Sequence, residues 1–303
     1  EFASRDIDSH FQSLTWTKNL TTEDEFSIRA YHNYLQYDQS NPFIVPANFL
    51  FGGSPGFTLE LGVEDGVSER YDIEAELIQR LSERTRFVLG AGVRYETLKS
   101  LALLNSDDRV EEWLFRTSAN LEHQLNNRWT FNLGAMLENN DLVGSRLSPR
   151  LGINYHITQE HSLRGSISRA YRTPSLLEAN EELAIVLPDL AGLGMFGGAT
   201  YNQISQPAAD LGPEKISTLE LGYLWQDREG RWIFDTKLYL EEVSDGIDEF
   251  QVTASDLIDS KANENRNTMD WQTAGLELQL KLQPWPHSWL HFAYAYADAK
   301  GEH

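Results

Sequence analysis

The chain contains no cysteine in 303 residues. Disulfide scaffolds, thiolate metal sites and cysteine nucleophiles are therefore excluded, because all three require the sulfur. The chain also lacks any run of the roughly 18 to 20 apolar residues that a membrane-spanning helix needs, and its mean hydropathy is −0.45. Basic residues are scarce, with 25 Lys and Arg against 46 Asp and Glu and a formal charge of −21. Since nucleic-acid affinity depends on clustered Lys and Arg, no nucleic acid is expected among the partners.

What the sequence does contain is a repeated alternation of apolar and polar residues in runs of about ten. In residues 71–77 the odd-numbered positions are apolar and the even-numbered ones are charged. This two-residue period predicts strands with one apolar and one polar face. Twelve such segments are predicted, at approximately 7–18, 25–35, 70–81, 86–98, 110–125, 128–137, 148–156, 162–171, 215–226, 231–243, 269–282 and 288–299.

The connections between these segments alternate in length along the chain. The short ones are residues 19–24, 82–85, 126–127, 157–161, 227–230 and 284–287. The long ones are approximately 36–69, 99–109, 138–147, 172–214 and 244–268. This alternation predicts an all-β, antiparallel up-and-down meander with a short-turn end and a long-loop end.

Tryptophan placement indicates which solvent the apolar face meets. None of the eight tryptophans is predicted at mid-strand. Those at or beside the short turns are Trp16, Trp129, Trp225, Trp232, Trp285 and Trp289, and those near the long loops are Trp113 and Trp271. Aromatic residues at both ends of a ten-residue band are typical of the two interfacial girdles of an outer-membrane β-barrel. The sequence therefore predicts a transmembrane β-barrel surrounded by outer-membrane lipids, with the long loops outside; a soluble β-sandwich or solenoid with edge aromatics is the alternative.

Several motifs then resemble one barrel family. Residues 146–155 and 162–178 are similar to the barrel region of TonB-dependent outer-membrane receptors, above all in the aromatic-Arg-x-Pro-Ser-Leu element at Tyr171–Leu176. Residues 211–223 resemble the family's Pro-Glu and Glu-x-Gly segment. Asn263–Asn265, followed by Ala274–Glu277, resembles its Asn-rich loop and the strand after it. The resemblance covers residues 140–299, whereas residues 1–140 carry only the general barrel pattern.

The resemblance implies a non-enzymatic receptor that binds a scarce nutrient, such as a ferric siderophore, haem or cobalamin, and is energised through TonB. Residues 1–303 contain no TonB box or plug domain, and twelve strands are fewer than the 22 typical of such transporters. The expectation is therefore that residues 1–303 are part of a larger, 22-stranded barrel, with TonB reached through a plug outside this chain. A closed twelve-stranded barrel is the competing structure. No cofactor is expected.

Candidate ligand-binding residues follow from strand parity, which directs five arginines into the lumen: Arg70, Arg94, Arg116, Arg150 and Arg172. Guanidinium groups suit an anionic iron chelate, because their forked donors pair with planar anions. The alternative is a structural charge ladder, since a register summing to 166 sets Arg70 opposite Glu96 and Asp72 opposite Arg94. Arg172 is the strongest candidate, because it enters the longest loop and has no obvious carboxylate at its height. Tyr201 in that loop offers a ring for stacking.

Other functions remain open at this point. A closed barrel protease or phospholipase is kept as an alternative with Asp107, Asp108 and His32 as candidate residues, and a passive porin or adhesin is a third. The eight histidines show no spacing suited to zinc, so no metal site is predicted. The Gly-rich run at 191–198 lacks the following Lys and Ser or Thr of a phosphate-binding loop, and the expectation is a mobile gating loop.

Overall fold

In a computed structural model, the protein is described over residues 5–39, 64–186, 200–256, 258 and 260–302. These residues form one twelve-stranded antiparallel sheet and a separate two-stranded hairpin. The strands are β1 (Arg5–Asn19), β2 (Glu25–Gln39), β3 (Glu64–Ser82), β4 (Thr85–Ser100), β5 (Ser106–Gln124), β6 (Trp129–Asn140), β7 (Gly144–His156), β8 (His161–Arg172), β9 (Ala184–Val186), β10 (Thr200–Gln203), β11 (Glu214–Gln226), β12 (Trp232–Thr253), β13 (Lys261–Leu282) and β14 (Leu290–Glu302).

The large sheet follows chain order, and β9 and β10 form the small hairpin inserted between β8 and β11. All twelve predicted strands are therefore confirmed as one up-and-down meander. Among the described residues β1 pairs only with β2 and β14 only with β13, so the sheet is open, as expected for part of a larger barrel. Two short helices, α1 (Leu101–Leu104) and α2 (Leu176–Asn180), lie at the long-loop end. No helix within these ranges has the length and apolar content needed to cross a membrane.

The two faces of the sheet differ in chemistry. Large apolar side chains are exposed in rows on one face, with Leu133, Leu219 and Phe292 each more than half exposed. The other face carries most of the charged side chains of the strands. We call the first the outer face and the second the inner face. A soluble sheet would cover such an apolar face with a second layer, whereas a barrel wall presents it to lipid.

The register of the β3–β4 hairpin was predicted correctly. Arg70 pairs with Glu96 and Asp72 pairs with Arg94, so the paired residue numbers sum to 166 from the outer end of the hairpin to Arg80. A slip of one residue would place these charges in the lipid-facing rows, and the alternation therefore fixes the register.

The prediction of a long loop at 244–268 is wrong, because most of this segment is strand. β12 continues to Thr253 and β13 begins at Lys261, so most of this segment is a paired hairpin projecting beyond the apolar band. Asn263–Asn265, expected in an Asn-rich loop, lie on β13. The sequence cue failed because these extensions have no lipid on either face, so apolar and polar residues no longer alternate. A bulge between Val243 and Ile247 marks the transition.

Seven tryptophans were assigned to the membrane girdles. Five of them lie on strands at positions that alternate in step with the apolar residues of the outer face: Trp16, Trp113, Trp129, Trp225 and Trp232. Trp289 lies just before β14, where the Lys281 ammonium is 4.5 Å from its ring centre. The assignment of Trp271 to the membrane girdle is corrected by the structure. Its unbroken register places it on the same face as Glu277, against the backbone at Gly246, and thus on the inner face.

Candidate ligand-binding surface of the inner face

Asp72 is the centre of a charge cluster on the inner face of β2–β5. Its carboxylate is completely buried and accepts hydrogen bonds from Arg94 Nε at 2.9 Å and Arg116 Nη2 at 2.7 Å. The Tyr31 hydroxyl donates a third hydrogen bond at 3.1 Å. The strand registers explain this convergence, because Arg94 lies directly opposite Asp72 and Arg116 is on the next strand. A buried carboxylate needs such partners, since its desolvation alone is costly.

The same cluster engages three of the five predicted ligand-binding arginines. Arg70 forms an ion pair with Glu96, and Arg116 reaches Glu74 in addition to Asp72. Together with Arg94, these arginines are therefore occupied by carboxylates of the wall itself. The structural ladder considered at the sequence level describes this region.

Arg172 is also paired, contrary to the expectation that it has no carboxylate nearby. It forms one ion pair with Glu214 at the start of β11 and another with Glu178 in α2, where the Nη1–Oε2 distance is 3.0 Å. Glu178 is fixed in turn by a capping box, in which Ser175 and Glu178 exchange hydrogen bonds at the start of α2. The sequence did not reveal these partners because Glu178 lies in a loop helix and Glu214 is 42 residues away.

These ion pairs shift the titration of both glutamates. Burial raises the pKa of Glu178, but hydrogen bonds from Arg172 and the Ser175 backbone outweigh it and lower the pKa overall. The hydrogen bond from Arg172 is the main reason that the pKa of Glu214 is lowered. We call Arg172, Ser175, Glu178 and Glu214 the rim cluster. It stays ionised at neutral pH and ties the start of the long loop to the wall.

Further hydrogen bonds attach this loop to the β12–β13 extension. Glu214 accepts from the backbone N–H of Ile247 at 2.8 Å, and Asn265 donates to the carbonyl of Glu178 at 2.9 Å. Asn267 and Gly212 exchange hydrogen bonds of 2.7 and 3.1 Å. The part of the loop that adjoins the rim is therefore anchored, and the expectation of a mobile gate does not hold for it. The Gly-rich run at 191–198 lies outside the described residues.

Two arginines of β7 differ from all of these. Arg146 and Arg150 share the inner face of the strand, with Ser148 between them. In the described parts of the chain neither arginine has a carboxylate oxygen within 4.0 Å, and the only polar contact of the Arg146 side chain is the neighbouring Ser145 carbonyl. The Ser148 hydroxyl is buried without a hydrogen-bond partner. β7 thus carries two arginines without an ion pair in a row about 14 Å long, with a buried hydroxyl between them.

A concavity of about 560 Å³ adjoins this row on the inner face. Its lining includes Arg150, Arg164 and Lys237. Arg164 is paired with Asp235 at 2.5 Å, and Lys237 lies 3.2 Å from Glu277 and 3.5 Å from Glu220. Arg150 is therefore the one cation lining the concavity without an ion pair to another described residue.

A glycine makes room for one of these pairs. A Cβ at Gly222 would clash with Arg164 Nε and lie 2.7 Å from its Cγ, so any larger residue would force Arg164 to shift where it crosses β11 towards Asp235. This arrangement keeps Arg164 paired with Asp235 while it lines the concavity beside the unpaired Arg150.

The remaining candidate residues from the sequence are Tyr201 and the candidate enzyme residues His32, Asp107 and Asp108. Tyr201 is on β10, but its side chain lies outside the described residues. Asp107 pairs with Lys99 at 2.9 Å, and His32 stacks on Tyr71 with ring centres 4.2 Å apart. Within the described ranges no hydrogen bond joins His32 to Asp107 or Asp108, and no group of three or more His, Asp or Glu residues could hold a metal ion. The structure does not bring the proposed enzyme residues together.

Comparison with known proteins agrees with the fold. The family model of the TonB dependent receptor-like β-barrel matches residues 2–302. The chain belongs to this family. A search of curated proteins found no match.

Solved structures of the TonB-dependent receptor family share the fold. The siderophore receptor PirA of Pseudomonas aeruginosa is 15% identical, with a TM-score of 0.68 over 97% of this chain and 57% of that one. A mutant of the ferric enterobactin receptor PfeA of the same species is 14% identical, with a TM-score of 0.71 over 95% and 43%. The FrpB iron transporter of Neisseria meningitidis is 16% identical, with a TM-score of 0.68 over 99% and 44%. This chain thus spans about half the length of these TonB-dependent relatives.

Membership of the TonB-dependent receptor family places the protein in the bacterial outer membrane. The family consists of transporters and receptors. The apolar outer face is then the lipid-facing wall, and the inner face lines the lumen.

Proposed function

We propose that this chain forms part of the ligand-binding wall of an outer-membrane uptake receptor for a ferric siderophore, energised through TonB. The observation that supports it is a pair of lumenal arginines on β7, Arg146 and Arg150, that form no ion pair with a described residue. The similarity to receptors for siderophores and iron adds to it. Contact with TonB would pass through a plug region outside this chain.

The chemistry of the pair suits an anionic chelate. Catecholate and carboxylate chelates of iron carry negative charge on planar oxygen groups, which a guanidinium fork binds with two parallel hydrogen bonds. Cations already paired with carboxylates attract an anion weakly, because their fields are largely cancelled. On a chain of net charge −21, attraction of an anion into the lumen therefore depends on the few unpaired cations.

The mechanism is binding and gating rather than bond-making chemistry. The rim cluster holds the first part of the long loop beside the mouth, and the β7 row extends inward from there. An anion passing from the rim towards the concavity meets Arg146 and then Arg150. Release and passage then require the energy that TonB supplies.

Binding measurements on Arg146→Gln and Arg150→Gln variants test the proposal. Cells producing the protein are titrated with a ferric tris-catecholate chelate, ferric citrate and, as a neutral probe, a ferric hydroxamate. Each substitution is expected to weaken binding of at least one anionic chelate by about tenfold, because a hydrogen bond to a charged group is lost. Arg128→Gln, the same change in a short turn, is the matched control. Unchanged affinity for both anionic chelates in the double variant contradicts the proposal.

A further inference from the structure

An acid and an arginine face each other across two strands of the inner wall without forming an ion pair. Glu138 on β6 lies directly opposite Arg146 on β7, close to the outer turn that joins these strands. Glu138 is also opposite Arg116 on β5, so its parity places it on the inner face. Directly opposed residues have Cβ atoms about 4.5–5.5 Å apart, and opposite charges at such positions stabilise each other when they meet. In the part of the chain that the structure describes, however, Glu138 is in no ion pair.

The two arginines beside Glu138 are both directed elsewhere. Arg116 Nη2 binds the buried carboxylate of Asp72 at 2.7 Å. Arg146 Nη1 donates to the carbonyl of Ser145 at 2.8 Å, and this hydrogen bond holds one of its nitrogens at the backbone. Glu138 makes no hydrogen bond to any other described residue. Its carboxylate is therefore free to bind a ligand at a point where Arg146 is free as well.

The same combination of charges recurs further inward, in the concavity of about 560 Å³. Glu122 and Arg150 both line it, and neither forms an ion pair with a described residue. Glu220, the other acid of the lining, lies 3.5 Å from Lys237 and is thus occupied. Arg86 is opposite Glu122 on β4, but no ion pair joins them. The inner wall therefore carries free acids as well as free arginines.

These free acids change which ligand suits the wall. A chelate that carries only negative charge is attracted by the arginines of β7 and repelled by the carboxylates near them. A chelate that also carries an ammonium group converts this repulsion into attraction, because the ammonium donates charge-assisted hydrogen bonds to a carboxylate. Fixed charges of both signs thus select a ligand with the complementary pattern, partly by disfavouring ligands that lack one of the two charges.

We propose that the ligand is an anionic chelate that also carries a free ammonium group, and that Glu138 and Arg146 recognise the two charges together. This inference rests on the proposed function, which supplies the uptake of a ferric chelate. Glu138 accepts hydrogen bonds from the ammonium group. Arg146 donates to a carboxylate or catecholate oxygen of the same molecule. Glu138 is thereby a specificity-determining residue, since it disfavours chelates that carry negative charge alone.

Two probes that differ in a single charge test this proposal. The first is a ferric tris-catecholate chelate with one free amine in its backbone, and the second is the same chelate with that amine acetylated. Both are titrated onto cells that produce the protein, and the amine-bearing chelate is expected to bind more tightly. Glu138→Gln is expected to lower the ratio of the two affinities about tenfold, because a hydrogen bond between charged groups is lost. The same variant is expected to bind the acetylated chelate more tightly, because a repelling carboxylate is removed.

Glu83→Gln is the matched control, because Glu83 is exposed in the short turn between β3 and β4. An unchanged ratio in Glu138→Gln overturns the proposal. An equal gain in affinity for both chelates also overturns it, because Glu138 would then only screen Arg146. Heat-modifiability on gels verifies that each variant is folded, and Glu138→Ala replaces Glu138→Gln where the latter is not.

The double variant Arg146→Gln/Arg150→Gln separates this inference from the proposed function. If the double variant weakens binding of the acetylated chelate while Glu138→Gln leaves the ratio unchanged, the proposed function holds and this inference fails. Unchanged affinity of the double variant for both chelates contradicts the two together.

Discussion

The inner face contains arginines of two kinds, although strand parity places them all alike. Around Asp72, on β2–β5, every predicted arginine is held by wall carboxylates, and the central carboxylate is buried. On β7, Arg146 and Arg150 have no ion pair within the described ranges. The difference teaches that an inward direction does not identify a ligand-binding residue. What distinguishes the two regions is whether a carboxylate comes within ion-pair distance, because Glu138 lies opposite Arg146 on β6 and yet no described carboxylate oxygen lies within 4.0 Å of either β7 arginine.

The largest expected effect is on stability at Asp72. Asp72→Ala leaves Arg94 and Arg116 facing each other without their shared carboxylate, which costs about 3–5 kcal/mol for a buried pair. Thermal unfolding followed by gel mobility in detergent measures the loss. Arg150→Gln is the matched comparison and is expected to change stability by less than about 0.5 kcal/mol, as an unpaired exposed residue would. Equal destabilisation by both variants would erase the distinction between the two regions.

A smaller effect is expected at the rim cluster, whose arginine is about half exposed. Arg172→Ala is expected to free α2 from the wall at a cost of about 1–2 kcal/mol, a figure reduced for solvent screening. Limited proteolysis between residues 172 and 186 reports the release. Arg172→Lys keeps the charge but not the forked geometry, and partial protection is expected. If Arg172→Ala leaves proteolysis unchanged, the anchoring resides in the asparagine contacts alone.

The smallest effect is a pH dependence of the same cluster. Glu178 and Glu214 have lowered pKa values in the folded protein. Their contribution to the stability of the loop attachment is therefore fully present above the ordinary glutamate pKa, near 4.3, and is lost as the pH falls through the lowered pKa values. The chain has no cysteine, so a single Ala179→Cys spin label reports on α2 without background. Constant label mobility from pH 7 to 5, followed by an increase below pH 4, is expected. Release already between pH 7 and 5 would contradict the assignment.

Much of the fold was predictable because lipid enforces the alternation of apolar and polar residues. The same rule gave the β3–β4 register, since a single-residue slip reverses both faces. It failed where lipid is absent, in the β12–β13 extension. It also failed for Trp271, whose residue type indicated the girdle although its parity indicated the inner face. The partners of Arg172 could not be predicted, because Glu178 reaches it through a short helix that carries no periodic signal.

The asparagines of β13 have a consequence for the ionic strength at which the receptor works. Asn265 and Asn267 attach the long loop through neutral amides bonded to backbone groups, whereas Arg172 attaches it through charges. Salt screens exposed ion pairs with a Debye length of about 10 Å at 0.1 M and about 3 Å at 1 M, but it leaves amide hydrogen bonds nearly unchanged. The loop is therefore expected to keep its position in brine, held by contacts that carry no charge.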